Sequence, residues 1–371
     1  MLSTTWRAVG SFTLCVAVAC GAGDAGHVRS HPIEGGIGYS LNAAELHFAE
    51  VPAESLTHGV ALGDTSTWSF PGPSRIVGRW LVVADQRVAP HFTVADLARD
   101  SIVAQFGDHG HGPGEFMSIT WILPDPSDAA SVWAFDQMNR RFSRIRIAPP
   151  RTGSVEEEFV YQPQENVFFS AFEGDTIIGT GALLDATLVV TDRTGHLLRR
   201  IAVEPPFTKV TLASSLARRM ANSPVMAVRP VVGGIALGYY RASRLDFFDG
   251  SGAYRRTLLD DVVLTRKYDV VPTGQIRWSP ESEMAYLSLY GTELHVYALF
   301  CGCAREAYME GAPPRAVRVL DWAGRPVMRL AVDRGLSSLA VSEDDRTLVG
   351  ITRNPMPGVI RWRLPAALAE R

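Results

Sequence analysis

One turn chemistry, repeated along the chain, constrains its fold more than any other feature. The stretches "LVVTDRTGHLLRRI" (188–201), "LDFFDGSGAYRRTL" (245–258) and "VRVLDWAGRPVMRL" (317–330) follow one scheme. An apolar strand ends in Asp, a short turn usually containing Gly follows, and a second strand carries Arg. An aspartate there accepts a hydrogen bond from the backbone about two residues on, and glycine supplies positive φ. Looser copies are "FTVADLARDSIVAQF" (92–106) and "VWAFDQMNRRFSRI" (132–145). The aligned aspartates are Asp96, Asp136, Asp192, Asp249 and Asp321, at intervals of 40, 56, 57 and 72 residues. The shortest interval is close to the length of a four-stranded propeller blade, and the longer ones require insertions.

Each hairpin is expected to form the outer half of a blade, after an inner pair such as "RIVGRWLVVADQ", "AFEGDTIIGTGA" or "VRPVVGGIALGYY". A sixth blade reads from "LSSLAVSEDDRTLVGITRNPMPGVIRWRL" (336–364) and is one strand short. "AELHFAEV" (44–51) is the expected missing strand, since an open ring would leave sheet edges unpaired. The fold expected is therefore all-β, a six-bladed propeller of four-stranded antiparallel blades, its ring closed by an N-terminal strand. Helical periodicity is scarce, and "LASSLARRMANS" (212–223) is its best example. Among 371 residues, 46% are apolar and 20% charged, which suits a folded chain with a large core. A net charge of −3 with no basic block argues against a nucleic-acid partner.

The N-terminus carries an address. Arg7 precedes an apolar run from 8 to 19, too short to span a bilayer but suited to a signal peptide. The run ends in "AVAC", which resembles a bacterial lipobox with Cys20 as the lipidated residue. The expected organisation is a lipoprotein-type signal at 1–19, a flexible tether at 20–42, the propeller at 43–365 and a tail at 366–371. A lipid on Cys20 would anchor the protein to the cell envelope without spanning it, facing the periplasm or the exterior. Cleavage near the same place without lipidation would give a soluble periplasmic or secreted protein. Of the four cysteines, "CGC" (Cys301 and Cys303) would remain, as a loop thiol pair or a strained bridge.

The segment "FGDHGHGPGEF" (106–116) holds four glycines, two histidines and two acids. Asp108, His109, His111 and Glu115 could in principle gather a divalent ion. Glycines at Gly107, Gly110, Gly112 and Gly114 favour a crossing between blades instead, with Glu115 accepting from exposed amides. No Lys-Ser/Thr follows, so it is not a phosphate-binding loop. There is also no G-x-S-x-G.

Together with "LHVYALF" and "LSSLAVSEDDRTLVGI", this segment resembles the TolB-like six-bladed β-propeller lipoproteins of bacterial envelopes. The G-x-G-P-G-E-aromatic element is matched by Gly110, Gly112, Pro113, Gly114, Glu115 and Phe116. "IRWSPESEMAYLS" (276–288) is similar to a strand, W-S-P, turn, strand unit of that family. The resemblance implies fold and address more than activity.

No complete catalytic set is visible, so catalytic residues are not assigned. The expected function is a non-catalytic binding or scaffold module, monomeric, serving an envelope protein or a small extracellular ligand. Candidate ligand-binding residues near the channel mouth are Asp85, Arg79, Arg229, Arg277 and His295, with Arg75 also near an inner-strand start. An arginine there could hold an anion. The alternative is a metal-dependent propeller hydrolase, lactonase or lyase with a divalent ion on the central channel. That would require Glu115, Asp85, Asp125 and His295, or others, to converge. No other cofactor is expected.

Overall fold

A computed structural model describes residues 37–370, apart from 40, 42, 65, 184, 207–218, 261, 266, 271–275, 312 and 354–355. The expected signal peptide and Cys20 lie outside them. Four short strands come first: β1 (Ile37–Tyr39), β2 (Ala43–Leu46), β3 (Ala53–Leu56) and β4 (Val60–Ala61). Blade 1 follows as β5 (Pro71–Val77), β6 (Trp80–Asp85), β7 (Phe92–Asp96) and β8 (Ser101–Phe106). A small pair, β9 (Asp108–His109) and β10 (Glu115–Phe116), leads to blade 2. That blade is β11 (Ile119–Pro124), β12 (Ser131–Asp136), β13 (Arg141–Arg146) and β14 (Val155–Val160).

Blade 3 is β15 (Asn166–Glu173), β16 (Thr176–Ala182), β17 (Leu188–Asp192) and β18 (Leu197–Val203). Blade 4 is β19 (Pro224–Val228), β20 (Ile235–Tyr239), β21 (Arg244–Phe248) and β22 (Tyr254–Asp260). A hairpin of β23 (Tyr268–Val270) and β24 (Ile276–Trp278) lies in the connection to blade 5. Blade 5 is β25 (Glu283–Gly291), β26 (His295–Ala304), β27 (Ala316–Asp321) and β28 (Pro326–Val332), with helix α1 (Arg305–Met309) after β26. Blade 6 is β29 (Ser338–Val341), β30 (Thr347–Thr352) and β31 (Gly358–Arg363), with β4 outside them. Helix α2 (Ala366–Ala369) falls in the expected tail and buries Leu368.

The six-bladed all-β architecture is thus as expected. The innermost strands β5, β11, β15, β19, β25 and β29 contact one another in turn, and β29 returns to β5. Middle strands are buried on both sides between neighbouring blades. They therefore read as continuous apolar runs such as "LVVA" in β6 rather than as alternation. The outer β8 alternates between half-buried and exposed positions. Turns joining first to second and third to fourth strands lie on one face, here the lower. Turns joining second to third strands and the blade-to-blade connections lie on the upper face.

Two expectations need correction. Residues 44–51 do not complete blade 6; the strand beside β31 is β4, with Ala61 opposite Ile360. Instead the N-terminal segment runs along the rim. β1 pairs in parallel with β18, β2 with β22 and β3 with β28, before β4 reaches blade 6. Four successive blades each gain an outermost strand from this belt, which covers their unpaired edges. The belt includes residues 37–39, which the sequence places in a tether.

The second correction concerns Asp136. It ends the second strand of blade 2, whereas Asp96, Asp192, Asp249 and Asp321 stand at third-to-fourth turns. Its counterpart in blade 1 is Asp85. Asp85 accepts from the amides of Phe70 (2.7 Å), Arg87 and Val88 (both 3.0 Å). Asp136 accepts from Met117 (2.7 Å), Ser118 (3.2 Å), Met138 and Asn139 (both 3.1 Å). Each carboxylate ties its own turn to the start of its blade's first strand. The same Asx chemistry serves both kinds of turn, so the unequal 40- and 56-residue intervals mixed two registers. At the other turns Asp192 accepts from Thr194 and His196, and Asp249 from Ser251 and Ala253. These bonds hold the Asp192 carboxyl below its usual range, Thr194's hydroxyl contributing most.

Candidate functional site

The axis is where six strands from distant parts of the chain converge. Near its lower end, blades 2, 3 and 4 enclose a cavity of about 260 Å³. Its walls come from first-to-second turns: Leu123, Pro124 and Pro126 of blade 2, Phe172 to Gly174 of blade 3, and Val228 to Ile235 of blade 4. Deeper in, a void of about 50 Å³ is lined by first-strand residues of blades 1, 2, 4, 5 and 6. The two share Leu123, Pro124 and Val228, so the void is the waist below which the cavity opens.

Glu293, in the first-to-second turn of blade 5, holds the blade 4 loop in place. Arg229 Nε donates to the Glu293 carbonyl (3.0 Å) and carboxylate (3.3 Å). The same carboxylate accepts from the Val231 and Val232 amides. Gly233 and Gly234 follow with φ of 75° and 145°, which turns the loop back into β20. The result presents two valines to solvent, Val231 at 83% and Val232 at 67% exposure. Glu173 faces them across the mouth, its carboxyl raised by burial, opposed by Arg199 and reinforced by Asp249.

Of the sequence candidates, Arg229 lines this cavity. Arg79 is also on the lower face, but it pairs with Asp96 (3.2 Å) and stacks on Trp80. His295, at the start of β26, is buried with Nδ1 3.5 Å from Asp345. Asp345 accepts from Thr292 (2.9 Å) and Tyr297 (2.7 Å). Asp85 is on the upper face. Arg277 lies in the exposed β23–β24 hairpin, paired with Asp269 (3.1 Å). The structure therefore does not bring these five together.

All but one of the metal candidates are similarly occupied. Glu115 accepts from the Gly112 amide (2.8 Å), and a Cβ at Gly110 would sit 2.1 Å from its Oε2. His109 Nδ1 is 3.1 Å from His91 Nε2, and His111 Nδ1 is 2.6 Å from Asn139 Oδ1. Asp108 is exposed. Asp125 binds Arg144 and the Ser127 amide and hydroxyl. Among the described residues, no three His, Cys, Asp or Glu side chains are grouped as a metal ion would need. Segment 106–116 forms a blade-to-blade crossing pinned by Phe116, which packs edge-on against Phe92. Cys301 and Cys303 form a disulfide in the extension of β26.

A family model for TolB-like six-bladed propellers matches residues 67–344. The chain belongs to that family. A crystal structure of a Bacteroides fragilis protein inferred to be exported is similar, with a TM-score of 0.55 and 12% identity over 89% of this chain and 100% of that one. The β-propeller domain of Cps50 (Swd1) from Myceliophteria thermophila gives 0.44 and 9% over 84% and 99%, too distant to argue from. No curated protein matches.

This TolB-like propeller has an upper-face cluster of arginines and tyrosines that no sequence motif marks. Arg241 follows β20, Arg305 and Tyr308 lie in α1, and Arg353 follows β30, all at second-to-third turns. Burial, with repulsion from Arg305, lowers Arg241 to about 10. Arg353 donates to Gln86 (2.9 Å) and shares the Phe70 ring with Arg87, at 4.3 and 3.9 Å. Tyr240 stands beside Arg241, and although it is 36% exposed, the packing around it raises its phenol to about 12.

Proposed function

We propose that this TolB-like propeller is an exported, non-catalytic binding module, lipid-anchored through Cys20 in the bacterial envelope. It docks a segment of an envelope protein at its lower axial mouth. The carrying observation is the blade 4 loop, which holds Val231 and Val232 out in water beside Arg229 and Glu173. Adjacent exposed valines, fixed by a dedicated glutamate, are suited to burial against a partner. A cavity of about 260 Å³ is below the size that encloses a drug-sized molecule. It suits one or two apolar side chains, which favours a protein segment over a free small ligand. The lipobox-like "AVAC" and the similarity to a Bacteroides fragilis protein inferred to be exported support the address.

Site-specific photo-crosslinking in intact cells tests this. A probe at Val232 is expected to give a discrete protein adduct. The same probe at Val160, 54% exposed on an outer strand, is expected to give none. Equal adducts at both sites, or none at Val232, would remove the basis for docking at the mouth.

A further inference from the structure

We infer that the waist of the axial channel binds one small monovalent anion through Arg75. Arg75 sits in the first strand of blade 1, only 6% exposed, among the residues lining the void of about 50 Å³. Its guanidinium carbon stands 5.0 Å from the centre of the Tyr290 ring of blade 5. Its Nε is buried with no hydrogen-bond acceptor, and no carboxylate among the described residues makes an ion pair with it. The Ser74 hydroxyl beside it is likewise buried without a partner. Ser338 of blade 6 also lines the void, its hydroxyl donating to the Gly72 carbonyl (3.4 Å). No lining residue is acidic. The acid whose charge reaches Tyr290 is Glu343, which is exposed beyond β29.

A guanidinium does not deprotonate inside a protein, and a buried charge is strongly unfavourable unless paired. The ring nevertheless holds this one where its blades meet. A counter-ion at the waist would complete Arg75 Nε. Size sets the class. A void of about 50 Å³ admits a few water-sized bodies, so it takes a halide or a formate-sized carboxylate but no sugar or nucleotide. This inference does not depend on docking at the lower mouth.

Two measurements test it. Thermal unfolding is compared in chloride, formate and gluconate at matched ionic strength, gluconate being too large for the void. The wild-type midpoint is expected to rise by about 2 °C or more in chloride or formate over gluconate. Response to chloride alone identifies a halide, and response to formate a carboxylate group. Arg75→Met is expected to abolish the difference. Crystals of the wild-type protein in sodium bromide should show an anomalous peak in contact with the Arg75 guanidinium, which decides the matter even where Arg75→Met does not fold. Equal wild-type midpoints in all three salts, or bromide only at surface positions as an adventitious ion only, would overturn the inference.

Discussion

Asp246→Ala is expected to lower folding stability by about 3–5 kcal/mol, read as a large fall in the urea midpoint at unchanged slope. Asp246 is wholly buried in the third strand of blade 4. It accepts from Arg244 Nε (2.8 Å) and Nη2 (2.9 Å), the Tyr239 hydroxyl (2.7 Å) and the Thr257 hydroxyl (2.6 Å). Arg244 is almost as deep and also donates to the Glu204 carbonyl. Removing the carboxylate strands a guanidinium and two hydroxyls in a blade core. Burial, reinforced by Asp246, holds the Tyr239 phenol far above its usual range, so in the wild-type network it acts as a donor. The double change Arg244→Met with Asp246→Leu is expected to cost much less, because no charge is then left unpaired. Equal losses in the two variants would contradict this reading of the network.

Deleting residues 37–61 is expected to do at least as much damage. The belt contributes Leu46, Phe48 and Leu56 to the core, each at most 7% exposed. Burial of such side chains stabilises by about 1.5–3 kcal/mol each, so about 5–9 kcal/mol is at stake. That is comparable to the whole stability of a typical domain, about 5–15 kcal/mol. Phe48 also covers the Arg318 guanidinium, which pairs with the buried Asp260 and stacks on Phe300. Without the belt, the outer edges of blades 3, 4 and 5 are bare and blade 6 loses its fourth strand. Size-exclusion chromatography should show aggregation, and urea unfolding a much lower midpoint. A monomer of unchanged midpoint would show that the belt is dispensable.

Blade architecture was legible because its chemistry is local. Strand, Asp, Gly and strand lie within fifteen residues, and the glycines of segment 106–116 report their own turn. Register within the blades was not, since Asp136 and Asp192 use one Asx geometry at different turns. The belt escaped because β2 and β3 each have three exposed residues and one buried, too short for any periodicity. At the channel, Arg229 was found from its place near a first strand. The importance of Arg75 lies in Tyr290 and Ser338, more than two hundred residues away, and nothing local distinguishes it from Arg79. The upper arginines gather only once three turns from blades 4, 5 and 6 meet.

The most direct measurement is hydrogen exchange of the protein in isolated membranes of the cells that make it against the same protein extracted and purified. Docking at the lower mouth predicts that extraction deprotects segments 123–126 and 228–235 while the outer strand at 155–160 exchanges equally in both states. Equal exchange at the mouth segments, with changes confined to the outer strands or the upper face, would contradict it.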